Sequence, residues 1–195
     1  RDIHEELEQI EADYQNDFIR IFGEADADIA RACMKSVANY VGGVSKNTSV
    51  VPSPGTRLNQ RIQEIFSRLE AWHILLKSEQ KGPKIEAGHA YLPKRYLFDT
   101  GLLRRLRESA VPDIHLLNSI DALSRQPLGG VLENQVAIDL SRAGLDLRGW
   151  KKTPSGGEID FIVKAGNKTI PVEVKSTLSI DGKQHRGLLD YLAMY

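Results

Sequence analysis

Three residues near the C-terminal end of this 195-residue chain have the types needed to act on a phosphodiester: Asp160, Glu173 and Lys175. Asp160 falls in Glu158–Lys164 and the other two in Thr169–Ser176, runs of alternating character that read as strands. Alternation puts Glu158, Asp160 and Ile162 on one face of the first strand, and Glu173 with Lys175 on one face of the next. Gly166-Asn167 between them has the composition of a hairpin turn. Once the strands pair, two carboxylates and an ammonium converge on one sheet surface, with i and i+2 side chains about 6 to 7 Å apart along a strand. Such carboxylates offer hard oxygen ligands to a divalent cation, and a lysine there steadies a water or the charge developing on a phosphate. Glu133, on a preceding helix, is placed to add a further ligand or a contact behind the ligands. On spacing alone, Glu-x-Lys is common enough that an ordinary strand surface is the more economical reading.

The elements that must position these residues are legible from periodicity. Asp2–Phe22 predicts a helix stopped by Gly23, and Ile29, Ala30, Cys33, Met34, Val37 and Tyr40 recur at helical spacing before Gly42-Gly43. After a loop-rich stretch, Thr56 is placed to cap a long helix with Leu58, Ile62, Ile65, Phe66 and Leu69 on one face. Trp72–Leu76 and Tyr91–Phe98 read as strands joined by the polar Gln80–Gly88. Helix, helix, hairpin is the order of a winged helix, assigned to residues 1–112, with the long helix as groove reader and the hairpin as wing. Arg57, Arg61, Lys81, Lys84, Lys94 and Arg95 are the expected phosphate contacts; the same fold also serves as a plain connector between domains.

A short helix over Thr100–Arg107 and a boundary at Val111-Pro112 follow. The second unit, residues 113–195, has a helix over Leu128–Ala143, three strands at Leu145–Trp150, Glu158–Lys164 and Thr169–Ser176, and a final helix through Leu188, Leu189 and Leu192. The expected class is mixed α/β.

Composition excludes several alternatives. Basic and acidic residues balance at 26 each, although acidic residues dominate before Asp28 and basic ones between Ile29 and Pro112. The apolar runs are too short for a membrane span, and a single cysteine, Cys33, allows no internal disulfide, so a cytoplasmic location is expected. The five histidines, at 4, 73, 89, 115 and 185, lack zinc-ligand spacing, and His73 reads as packed in a strand. There is no Gly-x-Ser-x-Gly elbow, and Ser155-Gly156-Gly157 reads as a loop rather than a phosphate cradle. An opening at Arg1 and a helix-like end at Tyr195 point to part of a longer protein.

Four segments carry a family resemblance. They are Arg95-Tyr96-Leu97-Phe98-Asp99-Thr100-Gly101-Leu102-Leu103, Gly129-Gly130-Val131-Leu132-Glu133-Asn134, Glu158-Ile159-Asp160-Phe161 and Pro171-Val172-Glu173-Val174-Lys175-Ser176. Their order of helix acid, Asp, then Glu-x-Lys resembles the PD-(D/E)xK nuclease superfamily. Together they look like the uncharacterised C-terminal region attached to prokaryotic AAA-type P-loop ATPases. The resemblance spans nearly the whole chain and implies a winged helix followed by a restriction-endonuclease-like domain that ends incomplete. It implies Glu133, Asp160 and Glu173 as ligands of Mg2+ or Mn2+, with Lys175 assisting the attacking water. Glu158 and Asn134 are implied as outer supports, and Gln184 as a polar helix residue, although the tail lacks a Gln-x-x-x-Tyr spacing. DNA and the ATPase domain of the same protein are the implied partners. The ATP-binding loop, Gly-x-x-x-x-Gly-Lys-Ser/Thr, is not in this sequence, so ATP enters only through a domain outside it. Two rival functions stay open: a nuclease fold without catalysis that serves for DNA binding or docking, and a winged-helix transcription regulator.

Overall fold

The computed structural model describes residues 2–82, 91–107, 110, 112–116, 118–153, 156–177 and 185–195. Its first layer is helical. Helix α1 (Ile3–Phe22) starts at Asp2, whose side chain accepts from the His4 backbone N–H at 3.0 Å, and stops at Gly23. Helices α2 (Glu24–Asn39), the single-turn α3 (Asn47–Val50), α4 (Thr56–Ala71) and α5 (Thr100–Leu106) follow. Ala30, Cys33 and Val37 of α2, Ile62, Phe66 and Leu69 of α4, and Leu102 and Leu103 of α5 are buried together, which is the use their helical spacing predicted. Burial pushes the Cys33 thiol up to about 12, so it packs as a small apolar group rather than reacting. The residue capping α4 is Gly55 rather than Thr56, which is the first helical residue.

Two strands, β1 (Leu75–Lys81) and β2 (Lys94–Leu97), form an antiparallel pair with Leu76 opposite Tyr96 and Ser78 opposite Lys94. The chain then passes through α5 and α6 (Ala122–Arg142) to β3 (Arg148–Lys151), which lies parallel to β1 with Gln80 opposite Gly149. Next come β4 (Glu158–Ile159), β5 (Phe161–Ala165), β6 (Lys168–Val172) and α7 (Arg186–Leu192). One sheet has the order β2-β1-β3-β4, and β5-β6 form a separate hairpin turned at Gly166, whose φ of +60° suits glycine. The protein is a mixed α/β fold. Among the described residues no helix is long and apolar enough to cross a membrane.

The hairpin read as a wing has a different place. Its strand β1 is interior, bonded to β2 on one side and β3 on the other. Leu75 and Leu97 face the helical layer, while Leu76 and Tyr96 face Ala137 and Ile138 of α6 and Phe161 of β5. The inner half of the hairpin is therefore internal, and its sheet runs across residue 112, where a boundary was expected. Three local readings also change. Trp72 and His73 form a turn before β1, with His73 exposed at φ +57° rather than packed in a strand. Helix α6 begins six residues earlier than Leu128, because Asp121 caps it and Pro127 lies inside it. The strand Glu158–Lys164 is broken at Asp160.

Candidate functional site

The break between β4 and β5 turns the Asp160 carboxylate toward the residues that follow β6. Its Oδ2 accepts from the Val174 backbone N–H at 2.9 Å. Glu173 lies beside it, and the Lys175 ammonium donates to Glu173 Oε1. The β5-β6 hairpin brings Asp160, Glu173 and Lys175 together, but not by strand alternation: Asp160 sits in the break, and β6 ends at Val172 rather than Ser176, so Glu173 and Lys175 follow the strand instead of lying in it. Glu133 arrives from α6, which is held to the sheet edge by its neighbour Asn134. That fully buried amide accepts from Leu97 N at 2.8 Å and donates to Leu97 O at 3.0 Å, so it pairs with β2 as a strand would.

The residue at the centre of the cluster is Lys94. Sequence reasoning placed it on the surface as a phosphate contact, yet its side chain is 2 % exposed. Its Nζ lies 2.9 Å from Glu133 Oε1, 3.0 Å from Asp160 Oδ1 and 2.5 Å from Glu158 Oε1. Tyr96, two residues on and on the same strand face, donates its hydroxyl to Glu133 Oε1 at 2.7 Å. The signal for this was present: alternation along β2 puts Lys94 on the face of Tyr96, which has to be inside. Residue type, which favours the surface for lysine, pointed the other way.

One ammonium serves three carboxylates, and the protonation equilibria follow from that. Burial alone would lower the Lys94 pKa, but Glu133, Asp160 and Glu158 outweigh it and hold the ammonium well above its ordinary range. Burial, with Glu133 next, pushes the Tyr96 hydroxyl far up. Glu133 is raised by burial, with Asp160 adding to the effect and Lys94 offsetting part of it. Glu158 is also penalised by burial, yet Lys94 and Lys151, the latter at 2.8 Å, bring it below the usual carboxylate range. Glu173 is raised by burial and then by Asp160.

A magnesium ion held by Glu133, Asp160 and Glu173 does not fit this arrangement. Glu133 Oε1 is engaged by Lys94 and Tyr96. Its Oε2 is packed where a Cβ on residue 42 would come within 2.7 Å, so Gly42, at φ +81°, is required both by its backbone and by the carboxylate above it. Asp160 spends one oxygen on Lys94 and the other on Val174 N. Of the three acids, Glu173 alone has a buried oxygen with no hydrogen-bond partner, Oε2. Among the described residues no three acidic, histidine or cysteine groups are disposed to hold a metal. Lys94 supplies the positive charge that a cation would otherwise bring.

The residues expected to contact nucleic acid divide. Arg57 is exposed on the first turn of α4. Arg61 binds Asp26 of α2, with Nε 3.0 Å from Oδ1, and Glu64 at 2.6 Å, so it ties two helices together. Arg95 is spent on Glu70 at 2.7 Å and lies 4.1 Å over the Phe66 ring. Lys81 is exposed at the end of β1. Lys84 and Gln184 lie outside the described residues.

Comparison with known families bears on the C-terminal part of the chain, which supplies the acids of this cluster. Residues 128–194 match the family described as Domain of unknown function (DUF4143). The matched region is about a third of the chain. It holds Glu133, Glu158, Asp160, Glu173 and Lys175, but not Lys94 and Tyr96, which come from the hairpin before it. No curated protein and no solved structure gives a significant match.

Proposed function

We propose that this chain is the nuclease-like C-terminal region of a prokaryotic P-loop ATPase, in which a resident lysine takes the place of the divalent cation, and that it works as a non-cleaving nucleic-acid-binding or docking module. The observation that carries the reading is the Lys94 ammonium, buried and within 3.0 Å of carboxylate oxygens from Glu133, Glu158 and Asp160. The nuclease-like order of Glu133, Asp160, Glu173 and Lys175 supports the fold part; the ATPase context rests on the family resemblance, and residues 128–194 match a family of unknown function. A shared fold does not carry a shared activity.

A second reading, metal-dependent phosphodiester hydrolysis, is favoured by one observation, the buried and unpartnered Glu173 Oε2 beside Asp160. Melting curves with and without Mg2+ or Mn2+, together with incubation on single-stranded, duplex and nicked DNA, separate the two. A ligand that binds only the folded state raises the melting temperature. The non-cleaving reading expects no saturable metal shift and intact DNA. A metal-dependent shift with cleavage that Lys175→Ala abolishes would overturn it in favour of hydrolysis.

A further inference from the structure

On the other side of the β1-β2 pair lies a cleft of about 760 Å³, lined by α4, the residues around α3, the outward side chains of β1 and the segment Tyr91 to Pro93. Strand alternation makes its chemistry the opposite of the Lys94 cluster. Lys77, Glu79 and Lys81 are the exposed residues of β1, and Arg95, opposite Lys77, shares their face. Two of the cations in the wall are neutralised in place: Arg95 by Glu70, and Lys77 by Glu79 at 3.5 Å. Lys46 and Lys81, both exposed, have no carboxylate partner among the described residues, so they give the cleft an uncompensated positive charge. Tyr91 and the half-exposed Leu92 give the same wall an apolar edge. Cationic side chains that track phosphates beside an aromatic on which a base can lie are the two components of single-strand nucleic-acid recognition.

We infer that this cleft holds a single nucleic-acid strand, with Lys46 and Lys81 contacting its phosphates and Tyr91 facing a base. The inference rests on the binding role proposed above and gives it a surface, distinct from the acidic cluster. Free nucleotides share this chemistry, so the test has an arm for each source.

Fluorescence anisotropy of a labelled oligothymidylate, titrated with the full chain in EDTA over a series of salt concentrations, reads binding without any cleavage. Lys46→Gln/Lys81→Gln should weaken binding, and should lower the slope of log affinity against log salt by about 1.4, the share of two phosphate contacts on a single strand. Lys168→Gln, an exposed lysine of β6 outside the cleft, should change neither. Both lysines are exposed, so the double variant should keep the wild-type melting temperature, which separates a lost contact from a lost fold. Wild-type protein that ignores the oligonucleotide overturns nucleic-acid binding as a whole. Wild-type binding that the double variant retains overturns the cleft alone and leaves the binding role standing. Displacement of the oligonucleotide by adenosine 5′-monophosphate as readily as by unlabelled strand would reassign the cleft to a free nucleotide.

Discussion

Lys94 and Arg95 are adjacent in sequence, similar in charge and opposite in circumstance. Lys94 points into the side of the sheet covered by α6, where three carboxylates share its single charge at 2.5 to 3.0 Å. Arg95 points to the side covered by α4, where one carboxylate, Glu70, and the face of Phe66 receive it. The contrast shows that the alternation of a strand, more than the type of a residue, decides whether a cation becomes internal structure or part of an open surface. A buried ammonium and its acids are interdependent, since removing one charge leaves the others unpaired where water cannot reach them. A cation at a cleft wall loses much less, because solvent replaces what is removed.

The largest effect expected is that of Lys94→Met. It leaves Glu133 and Asp160 buried without their counter-charge and should cost about 3–5 kcal/mol in urea unfolding. It should also make the melting temperature rise with Mn2+ by more than in the wild type, because the vacated centre of three carboxylates then attracts a cation. A loss under about 1 kcal/mol would show that the cluster is not held by this lysine. Arg95→Ala comes next. It removes a pair whose side chains are 14 % and 18 % exposed and a guanidinium stacked on an aromatic ring, and should cost about 1–2 kcal/mol with no gain in metal response. Equal losses for the two variants would erase the distinction between the faces.

The smallest effect sharpens the comparison through pH. A carboxyl whose folded pKa lies above its unfolded value holds its proton more tightly in the native state, so stability falls as pH rises from the ordinary carboxylate range to the raised value. Glu133 and Glu173 behave this way. Glu158, held low, does the reverse: its stabilisation is present above the ordinary range and is lost as pH falls through its folded pKa. Glu173→Gln should therefore raise the melting temperature at neutral pH by no more than about 2–4 °C, the scale of 1 kcal/mol in a chain of this size. It should also flatten the decline in melting temperature just above the ordinary carboxylate range. A lower melting temperature at neutral pH would mean that the ion pair with Lys175 outweighs burial.

What could be read from the sequence follows the range of the interactions. The apolar faces of α2 and α4 repeat every three or four residues, and the turn at Gly166-Asn167 places Asp160 near Glu173 within one hairpin. Local rules reach that far. The parallel pairing of β1 with β3 joins segments separated by two helices, and nothing in either strand names the other. Read without it, the hairpin had an open edge and resembled a wing. Lys94 was misplaced for the same reason: a lysine is internal only when acids from distant segments meet it, and Glu133, Glu158 and Asp160 come from α6, β4 and the break before β5. Gly42 likewise looked like a helix stop, and its second role, leaving room for a carboxylate, depends on α6 crossing above it.

The spacing of the Lys94 cluster along the chain also has a consequence during synthesis. Lys94 precedes Glu133 by 39 residues and Asp160 by 66. At translation rates of about 5–20 residues per second, the lysine is made roughly 3 to 13 seconds before its last acidic partner. During that interval the nascent hairpin carries an unneutralised cation on the side destined for the interior, and that side stays hydrated. The later segment therefore sets the moment at which the earlier one becomes native, and a ribosome stalled between the codons for Lys94 and Glu133 would hold a sheet that cannot yet close.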